Sequence, residues 1–367
     1  MLILINEHIQ SRSGPAKSIN LLKKSIFKQK KHLYCYRNKN PFFFDVSIGD
    51  KTIYKKNIFY LINLIFNQKV IFINGVYSFF FFILPIIIAL FKIKKIIISP
   101  RGQIAPESLV KKKFLKLFFF KLLTIVQKII QSKIFWLVTS TREKVFLQFF
   151  IQCNHLDVTI VDNLNDIKIK KFSKINKKKN SLNLFYFSNI TKKKNLFDSI
   201  NIVKNTKNPN IKFNIYGKII DHSYFKKILH LIKDHPNIQY KGYVDNNLEL
   251  EKIFLKHHFL VHHSLGENYG HILVESMAYG LPFISNTSHP FSEVDDNFDG
   301  FILPNGLIFQ QVDFINELFT LNNKGYQIYR KKFYNFFLLE IALKEKKRLK
   351  MYYDFLGMVK RYKFKIR

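Results

Sequence analysis

Two glutamates, Glu267 and Glu275, lie eight positions apart in a segment that contains three glycines, GENYGHILVESMAYGLP. Carboxylates accept hydrogen bonds from hydroxyl groups, so this pair is suited to hold a sugar. The segment also carries the signals of a glycine-containing loop and a helix N-terminus, which direct free backbone N–H groups and a positive dipole end towards an anion. The residue types therefore predict a site for a ligand with phosphate and sugar hydroxyls.

The two carboxylates can meet one ligand only if the chain turns between them. On a single helix, eight residues at about 3.6 per turn would place the side chains roughly 80° apart. The apolar run Phe259 to His262 predicts a buried strand and Ile272 to Tyr279 predicts a helix. Glu267 would then lie in the loop and Glu275 near the first turns of the helix, where both can reach one ligand. The alternative is a helix with two solvated glutamates.

Other segments place cations or glycine after predicted strands. Arg101 follows a buried strand in SPRGQ, and its guanidinium could clamp a phosphate or an acceptor carboxylate; the alternative is a structural, salt-bridged arginine. Lys194 lies in SNITKKKNL after the first predicted strand of the second half, although such lysine runs are most often solvent-exposed. Gly14 and Pro15 precede a predicted helix, and Pro15 suits its first turn. Gly14 permits close approach of the backbone to a ligand; the alternative is that the two residues simply begin the helix.

The segment around the two glutamates resembles the donor-binding motif of retaining GT-B glycosyltransferases of glycosyltransferase family 4, the glycosyl transferases group 1. In that motif two glutamates bracket seven residues before a small-residue helix and G-x-P. The segment SLGENYGH is especially similar to the corresponding segment of members that build bacterial lipopolysaccharide or capsule. The resemblance implies that Glu267 contacts the transferred sugar and Glu275 the nucleotide ribose. It also places the residues that follow Glu267 in the donor site: Asn268, Tyr269, Gly270 and His271.

The same resemblance implies roles for other segments. Lys194 matches the lysine that binds the donor diphosphate, whereas Asn189 stands where an arginine is usual. The loop that contains Gly14 would reach the donor phosphates and the acceptor. Tyr243 and Val244, in KGYV, would line the nucleobase.

The reaction implied by the resemblance is transfer of a sugar from a nucleotide-sugar to a glycan or lipid-linked glycan, with retention at the anomeric carbon, in surface polysaccharide biosynthesis. Attack would be front-face, with the leaving diphosphate helping to accept the proton, and Glu267, Lys194 and Arg101 are the candidate catalytic residues. No cofactor is expected, since the nucleotide-sugar is a substrate, and no metal is expected either. His262 and His263 lack further ligands at metal spacing, which favours ordinary strand-end histidines.

Short apolar runs alternate with helical stretches throughout the chain, which predicts an α/β protein with parallel sheets covered on both faces. The resemblance makes this a GT-B fold, two Rossmann-like doubly wound domains facing a central cleft. The expected order is an acceptor domain over residues 1–166, a lysine-rich linker over 167–181, a donor domain over 182–348 and a helix over 349–367 that crosses back to the first domain. The predicted strands are Leu2 to Asn6, Val70 to Ile73, Ile96 to Ser99, Phe135 to Thr139, Val158 to Val161, Leu182 to Phe187, Lys212 to Tyr216, Ile238 to Lys241, Phe259 to His262 and Pro282 to Ser285.

The strongly positive net charge of the chain favours anionic partners. With 367 residues and a formal net charge of +35, attraction to anionic surfaces is expected, although part of the lysine excess is typical of AT-rich genomes. One stretch interleaves lysines with apolar residues and is either a membrane-surface helix or a core helix with a solvated lysine face. Its residues are Lys111, Lys112, Lys113, Phe114, Lys116, Leu117, Phe118, Lys121 and Leu122.

The apolar segment Val76 to Phe91 is somewhat shorter than the roughly 20 residues of a transmembrane helix and contains Pro85, so a buried helix inside a βαβ unit is predicted.

The two cysteines, Cys35 and Cys153, have no redox or metal spacing, which favours a reducing cytosol. No signal peptide is expected at Met1. The predicted location is cytoplasmic, possibly peripheral at the inner face of the membrane.

Three alternatives stay open. An inverting GT-B enzyme would need a general base in the first domain, such as His8. A basic nucleic-acid-binding protein would need a recognised module with basic patches and interleaved aromatics, and no such module is found. A membrane-embedded protein is disfavoured by Pro85 and the strands on either side of it.

Overall fold

The structure is a computed structural model in which the chain forms two compact units. Unit 1 comprises Met1–Asp166 and Glu345–Arg367, and unit 2 comprises Ile167–Lys344. The structure describes residues 1–6, 14–26, 32–38, 43–48, 53–92, 94–109, 113–129, 134–151, 157–165, 167, 169–170, 172, 175–267, 269–286, 291 and 308–362.

Unit 1 contains an eight-stranded sheet. Its strands are β1 (Leu2–Ile5), β2 (Leu33–Arg37), β3 (Phe43–Ile48), β4 (Ile53–Asn57), β5 (Val70–Asn74), β6 (Lys95–Ser99), β7 (Ile134–Val138) and β8 (Asp157–Ile160). Their order is β4-β3-β2-β1-β5-β6-β7-β8. β3 is antiparallel to β2 and β4, and the other pairs are parallel. The sequence patterns predict the parallel strands β1 and β5 to β8 but miss β2 to β4, because hairpin strands with mixed polar residues lack long apolar runs.

Helices cover both faces of this sheet, because side chains alternate in direction along each strand. Leu2 and Leu4 face one side and share a core with helices α2, α3, α5 and α6, whereas Ile3 and Ile5 face the other side, with α1 and α13. The helices of unit 1 are α1 (Gly14–Ser25), α2 (Ile58–Asn67), a π-helix (Phe79–Ile83), α3 (Leu84–Phe91), α4 (Pro106–Leu109), α5 (Lys113–Ile129), α6 (Thr141–Phe150) and α13 (Glu345–Arg361).

The apolar segment between β5 and β6 forms the π-helix and α3 in succession. Ser78 begins the π-helix, since its hydroxyl accepts a hydrogen bond of 3.2 Å from the Phe81 N–H, and Pro85 lies in the first turn of α3, where no N–H is needed. β5 and β6 are parallel neighbours, so the predicted βαβ unit is confirmed. The helix is buried on one side only, because Phe91 is 81% exposed. Within the described ranges, every helix is too short or too polar to cross a bilayer.

Unit 2 contains a second sheet, and its described strand pairs are all parallel. Its strands are β9 (Leu182–Phe187), β10 (Ile211–Tyr216), β11 (Ile238–Tyr240), β12 (Phe259–His262) and β13 (Phe283–Ser285), in the order β11-β10-β9-β12-β13. The helices are α7 (Leu196–Asn205), α8 (His222–Ile232), α9 (Asn247–Lys256), α10 (His271–Ala278), α11 (Ile308–Thr320) and α12 (Asn323–Phe336), with a π-helix (Phe337–Ala342) after α12. The second doubly wound α/β domain expected from the sequence is therefore present.

Two segments next to the expected domain boundaries are held by specific contacts. Residues 167–181, expected as a linker, lie in unit 2, where Ile175 is buried in the core and the Lys177 ammonium donates to the carbonyls of Phe319 (3.1 Å) and Leu321 (2.7 Å) at the end of α11. The terminal helix α13 lies in unit 1, where Tyr352, Phe355 and Val359 are buried against the same core as α1.

Candidate functional site

Three charged or polar side chains meet at the carboxyl end of the unit 2 sheet. The ammonium of Lys194 and Nε2 of His262, the latter at 3.0 Å, both contact the same oxygen, Oε1, of Glu267. Lys194 lies in a 3₁₀ turn after β9, His262 ends β12, and Glu267 lies in the loop before α10. Because β9 and β12 are neighbours in the sheet, their ends bring together residues that are far apart in the chain.

Hydrogen bonds to backbone carbonyls fix the two loops that carry this cluster. The N–H of Leu265 donates to the carbonyl of Lys193 at 2.9 Å, directly beside Lys194. On the other side of the loop, the Asn286 side-chain amide donates to the carbonyl of Ser264 at 3.0 Å, and the Ser285 hydroxyl donates to the carbonyl of His262 at 2.8 Å. The pairing of Lys194 with Glu267 is therefore set by backbone contacts as well as by charge.

The loop that leads to Lys194 approaches the next strand connection very closely. A Cβ atom on Gly217 would lie 1.8 Å from the carbonyl oxygen of Ser188, so only glycine fits there. The N–H of Ser188 donates to the backbone carbonyl of Tyr216 at 3.2 Å, and the N–H of Ile190 donates to the backbone carbonyl of Lys218 at 2.9 Å. Gly217 thus lets the β9 and β10 connections lie side by side, which positions the turn of Lys194.

Electrostatics keep Glu267 ionised. Burial by itself would raise the pKa of Glu267, but the charge of Lys194 and the hydrogen bond with His262 outweigh it, and the net pKa lies well below the ordinary carboxyl value. Burial lowers the pKa of His262, against the opposing effect of Glu267, so this ring is neutral at pH 7. We therefore assign Lys194 as the cation that pairs with Glu267, and neutral His262 as a donor through Nε2–H.

This shift has a consequence for stability. Because the pKa of Glu267 is lower in the folded chain than in the unfolded one, its ionisation contributes stability above the ordinary carboxyl pKa of about 4.3, and this contribution is lost as the pH falls further.

The helix α10 begins next to this cluster. Gly270 is the residue before the helix and has φ of +68°, and a Cβ there would lie 2.9 Å from Leu273 Cδ1. Tyr269 is buried, and its ring meets that of His271 edge-on at a centroid distance of 4.8 Å. Glu275, the second glutamate of the motif, lies half-buried within α10. Its convergence with Glu267 on one ligand stays a prediction.

The other predicted donor-site residues lie at strand ends or helix starts. Asn189 is exposed two positions after the last residue of β9, and Gly14 is the first residue of α1. Tyr243 is exposed and its hydroxyl donates to Asp245 at 2.7 Å, whereas Val244 is buried. Asn268 lies outside the described residues, and so does His8, the base considered for an inverting enzyme.

Arg101 is buried in unit 1 and holds amide oxygens rather than a carboxylate. Its Nε donates to Asn74 Oδ1 at 3.1 Å and its Nη1 to Asn163 Oδ1 at 2.5 Å, and the residue has φ of +54°. The next residue, Gly102, donates its N–H to Glu143 Oε1 at 2.5 Å. These contacts favour the structural alternative for Arg101, and its role as a clamp stays a prediction.

Replacing Arg101 with methionine is expected to destabilise the protein by about 2–4 kcal/mol, because the buried side chains of Asn74 and Asn163 would lose charged donors. Chemical unfolding measures this loss. The control Arg142→Met, whose guanidinium lies over the Phe146 ring on a partly exposed helix face, is expected to change stability by about 0.5 kcal/mol or less. Unchanged stability of Arg101→Met together with weaker substrate binding would favour the clamp instead.

The part of the site that sequence reasoning missed is His262. The sequence favours ordinary strand-end histidines for both His262 and His263, and this describes His263, whose Nδ1 lies 3.0 Å from the Ser199 hydroxyl in the interior. His262 instead contacts Glu267. The available signal was its position as the last residue of a strand, five residues before the glutamate. Across the described part of the chain, no three His, Cys, Asp or Glu side chains are grouped as metal ligands.

Known proteins share the fold and part of the sequence. Residues 167–335 match the family model described as glycosyl transferases group 1. A 41.2 kDa protein in the cps region of Klebsiella pneumoniae is 30% identical over 137 residues, which are 37% of this chain and 36% of that protein, so the match spans about a third of the relative's length.

Solved structures extend the likeness to almost the whole chain. A structure of Anabaena HepE in complex with UDP and glucose matches with a TM-score of 0.74 at 13% identity, over 97% of this chain and 99% of HepE. A mutant of S. aureus TarM, in complex with Fondaparinux, alpha-GlcNAc-glycerol and UDP, matches with a TM-score of 0.60 at 18% identity, over 84% of this chain and 61% of TarM. At these identities the likeness shows the fold, which is GT-B. Within that fold, the residues that match the glycosyl transferases group 1 model, 167–335, include Lys194, His262 and Glu267.

Proposed function

We propose that the protein is a glycosyltransferase that moves a sugar from a nucleotide-sugar to a glycan or lipid-linked glycan acceptor with retention of anomeric configuration, in the synthesis of a surface polysaccharide. The family match over residues 167–335 supports the transferase activity. The relative in a cps region supports the polysaccharide setting.

The observation that carries the proposal is the contact of Lys194 and His262 with one oxygen of Glu267. An ionised carboxylate with one oxygen occupied keeps acceptor capacity on the other, and hydroxyl groups of a sugar are suitable donors for it. The Lys194 side chain is 24% exposed, so an anionic group can reach its charge. Carboxylate and cation side by side suit a ligand in which a sugar adjoins a phosphate.

In the proposed reaction, the bond between the anomeric carbon and the diphosphate oxygen breaks, and the diphosphate leaves with the electron pair. The acceptor hydroxyl oxygen forms the new bond to that carbon, and its proton goes to an oxygen of the departing diphosphate. Lys194 and the N-terminus of α10, at Gly270 and His271, would stabilise the negative charge on the leaving group. Glu267 would orient the sugar.

The lowered pKa of Glu267 bears on the choice between retention and inversion. A carboxylate held ionised by Lys194 is a weak base, and general bases work best with a pKa near the operating pH. Glu267 is therefore better suited to orient the sugar than to take the acceptor proton. Analysis of the product anomer by NMR tests this point, because an inverted product would contradict the front-face mechanism.

UDP-sugars are the first donors to test, since the HepE and TarM structures hold UDP. We expect a UDP-sugar to raise the melting temperature of the purified protein and to be hydrolysed slowly, with UDP release as the measurement. GDP-sugars serve as the comparison, and duplex DNA in a gel-shift assay tests the nucleic-acid alternative. Binding of DNA without binding or hydrolysis of any nucleotide-sugar would overturn the proposal.

The pH dependence of kcat/KM should lack a histidine limb near neutrality. His262 is neutral already at pH 7 because burial lowers its pKa, so its protonation should reduce activity only below the ordinary histidine value of about 6.5. We expect no loss from this group between about pH 7 and 8. His262→Gln can still donate to Glu267 and should retain more activity than His262→Leu. A limb near pH 6.5 that disappears in His262→Gln would contradict the assignment of neutral His262.

A further inference from the structure

One side of unit 1 exposes an unusual number of large apolar side chains. We name the helices that cover the Leu2 and Leu4 face of the sheet, namely α2, the π-helix, α3, α5 and α6, the outer layer. Ten large apolar side chains of this layer are between 41% and 87% exposed. They are Phe59, Phe66, Phe79, Ile87, Phe91, Phe114, Ile125, Ile129, Val145 and Phe149.

These side chains form stripes along the helices. On α2, Phe59 and Phe66 are seven positions apart, and on α5 the exposed Phe114 and Ile125 lie on the same helix side as Lys121 and Lys128. The opposite face of the sheet differs. Its helices α1 and α13 expose Met351, Tyr353 and Met358 but no phenylalanine among the described side chains. Six exposed phenylalanines on one side of one unit exceed the scattered apolar residues of an ordinary surface.

The charge of the outer layer has one sign. Its helices contain a single carboxylate, Glu143, and this side chain is 2% exposed and accepts hydrogen bonds from the Thr139 N–H and the Gly102 N–H. Cations lie among the exposed rings, as where the Lys92 ammonium is 5.4 Å from the centre of the Phe66 ring. The surface therefore combines exposed aromatic rings with positive charge and has no exposed carboxylate in the described part of its helices.

We infer that the outer layer of unit 1 binds the surface of an anionic phospholipid bilayer. The phenylalanines would enter the boundary between headgroups and acyl chains, and the lysines would contact lipid phosphates, as on amphipathic helices that lie in the membrane plane. The binding would be interfacial, since every helix in the described ranges is too short or too polar to cross a bilayer.

Charge favours a bilayer over the other occupants. A second copy of the chain docked by the same face would bring lysines against lysines, which disfavours a symmetric dimer. A nucleic-acid duplex would satisfy the lysines, but its bases are stacked in the interior and would leave the exposed rings of Phe59, Phe91 and Phe149 without an apolar partner. An anionic bilayer satisfies both groups at once. This inference does not depend on the proposed catalytic activity.

Tryptophan placed on the outer layer gives a direct test. The chain has one tryptophan, Trp136, which is fully buried, so a second indole at a chosen site reports on its own surroundings. Phe91→Trp is expected to shift its emission to the blue, and to be quenched by brominated lipid, when vesicles of phosphatidylcholine mixed with phosphatidylglycerol are added. The matched control Phe309→Trp, at an exposed position on α11 of unit 2, should show neither change.

Sedimentation with the same vesicles measures the contribution of the layer. We expect the full chain to bind mixed vesicles and to bind pure phosphatidylcholine far more weakly. The combined variant Phe59→Ser, Phe91→Ser, Phe114→Ser and Phe149→Ser should lower the affinity about tenfold or more, because apolar area is lost from the interface. The control Phe309→Ser with Leu339→Ser, also at exposed positions, should bind as the wild type does.

Charge reversal provides an independent arm, since Lys121→Glu with Lys128→Glu should weaken binding to mixed vesicles only. The inference is overturned if the Phe91→Trp emission does not respond to anionic vesicles. It is also overturned if all variants bind vesicles equally, or if the serine variant instead abolishes a dimer seen in solution. Circular dichroism melting confirms that each variant is folded.

Discussion

Glu267→Gln is expected to lower kcat about 10²–10³-fold while leaving the protein folded, because the substitution removes the negative charge that pairs with Lys194. The glutamine keeps the size of the side chain and can still hydrogen-bond His262. What it loses is the ionised acceptor that would orient the sugar hydroxyls of the donor. The measurement is the initial rate of UDP release from a UDP-sugar, with and without an acceptor.

Lys194→Met should have a comparable effect for a complementary reason. Without the ammonium, burial raises the pKa of Glu267 and the negative charge of the leaving diphosphate loses a nearby cation. Because the two residues form one pair, the double variant should be little worse than either single variant. Full additivity of the two losses would mean that they act separately.

A matched control separates the site from a general effect of charge. Glu317 is an exposed carboxylate on α11 of the same unit, and Glu317→Gln should leave the rate unchanged. Glu317→Gln should melt as the wild type does, whereas Glu267→Gln and Lys194→Met should melt at a lower temperature because each breaks a largely buried ion pair, and circular dichroism confirms that both are folded at the assay temperature. Wild-type rates in folded Glu267→Gln or Lys194→Met would refute the proposed site, and the vesicle experiments on unit 1 would be unaffected by that result.

Gly217→Ala is expected to destabilise the protein by about 3 kcal/mol or more, which is at the severe end for a single methyl group. The added Cβ would lie 1.8 Å from the carbonyl oxygen of Ser188, a backbone atom that no rotation of a side chain can move. Relief requires the β9 connection to shift, and that connection carries Lys194. Activity should therefore fall together with stability.

Urea unfolding of Gly217→Ala measures the first effect and UDP release the second. Gly242→Ala is the control, since Gly242 has φ of +92° but no atom within 4 Å of an added Cβ. It should lose only about 1–2 kcal/mol, from backbone strain. Equal losses in the two variants would show that close approach to Ser188 is not the cause.

Local sequence predicted the elements around the site well. The strand over Phe259 to His262 and the loop and helix that follow are present as expected, because a short apolar run with glycines after it has few other solutions in a parallel sheet. The sequence also predicted that Lys194 follows the strand β9. These features depend on residues within about ten positions of one another.

Features that depend on contacts between distant segments could not be predicted from the sequence. The contact of Lys194 with Glu267 joins residues 73 positions apart, and the need for glycine at Gly217 depends on a carbonyl oxygen 29 positions away at Ser188. The amide partners of Arg101 come from residues on either side of it in the sequence, Asn74 and Asn163.

Local patterns in the sequence were sufficient to predict two α/β domains and to place Lys194 and Glu267 after strands of the second, since apolar periodicity and glycine placement are local signals. The folded structure was needed to show which oxygen of Glu267 faces Lys194, that His262 contacts the same oxygen, and that the exposed phenylalanines of five separate helical segments lie on one side of unit 1. Those outcomes depend on the order of strands in a sheet and on the direction of side chains, which are properties of the folded chain.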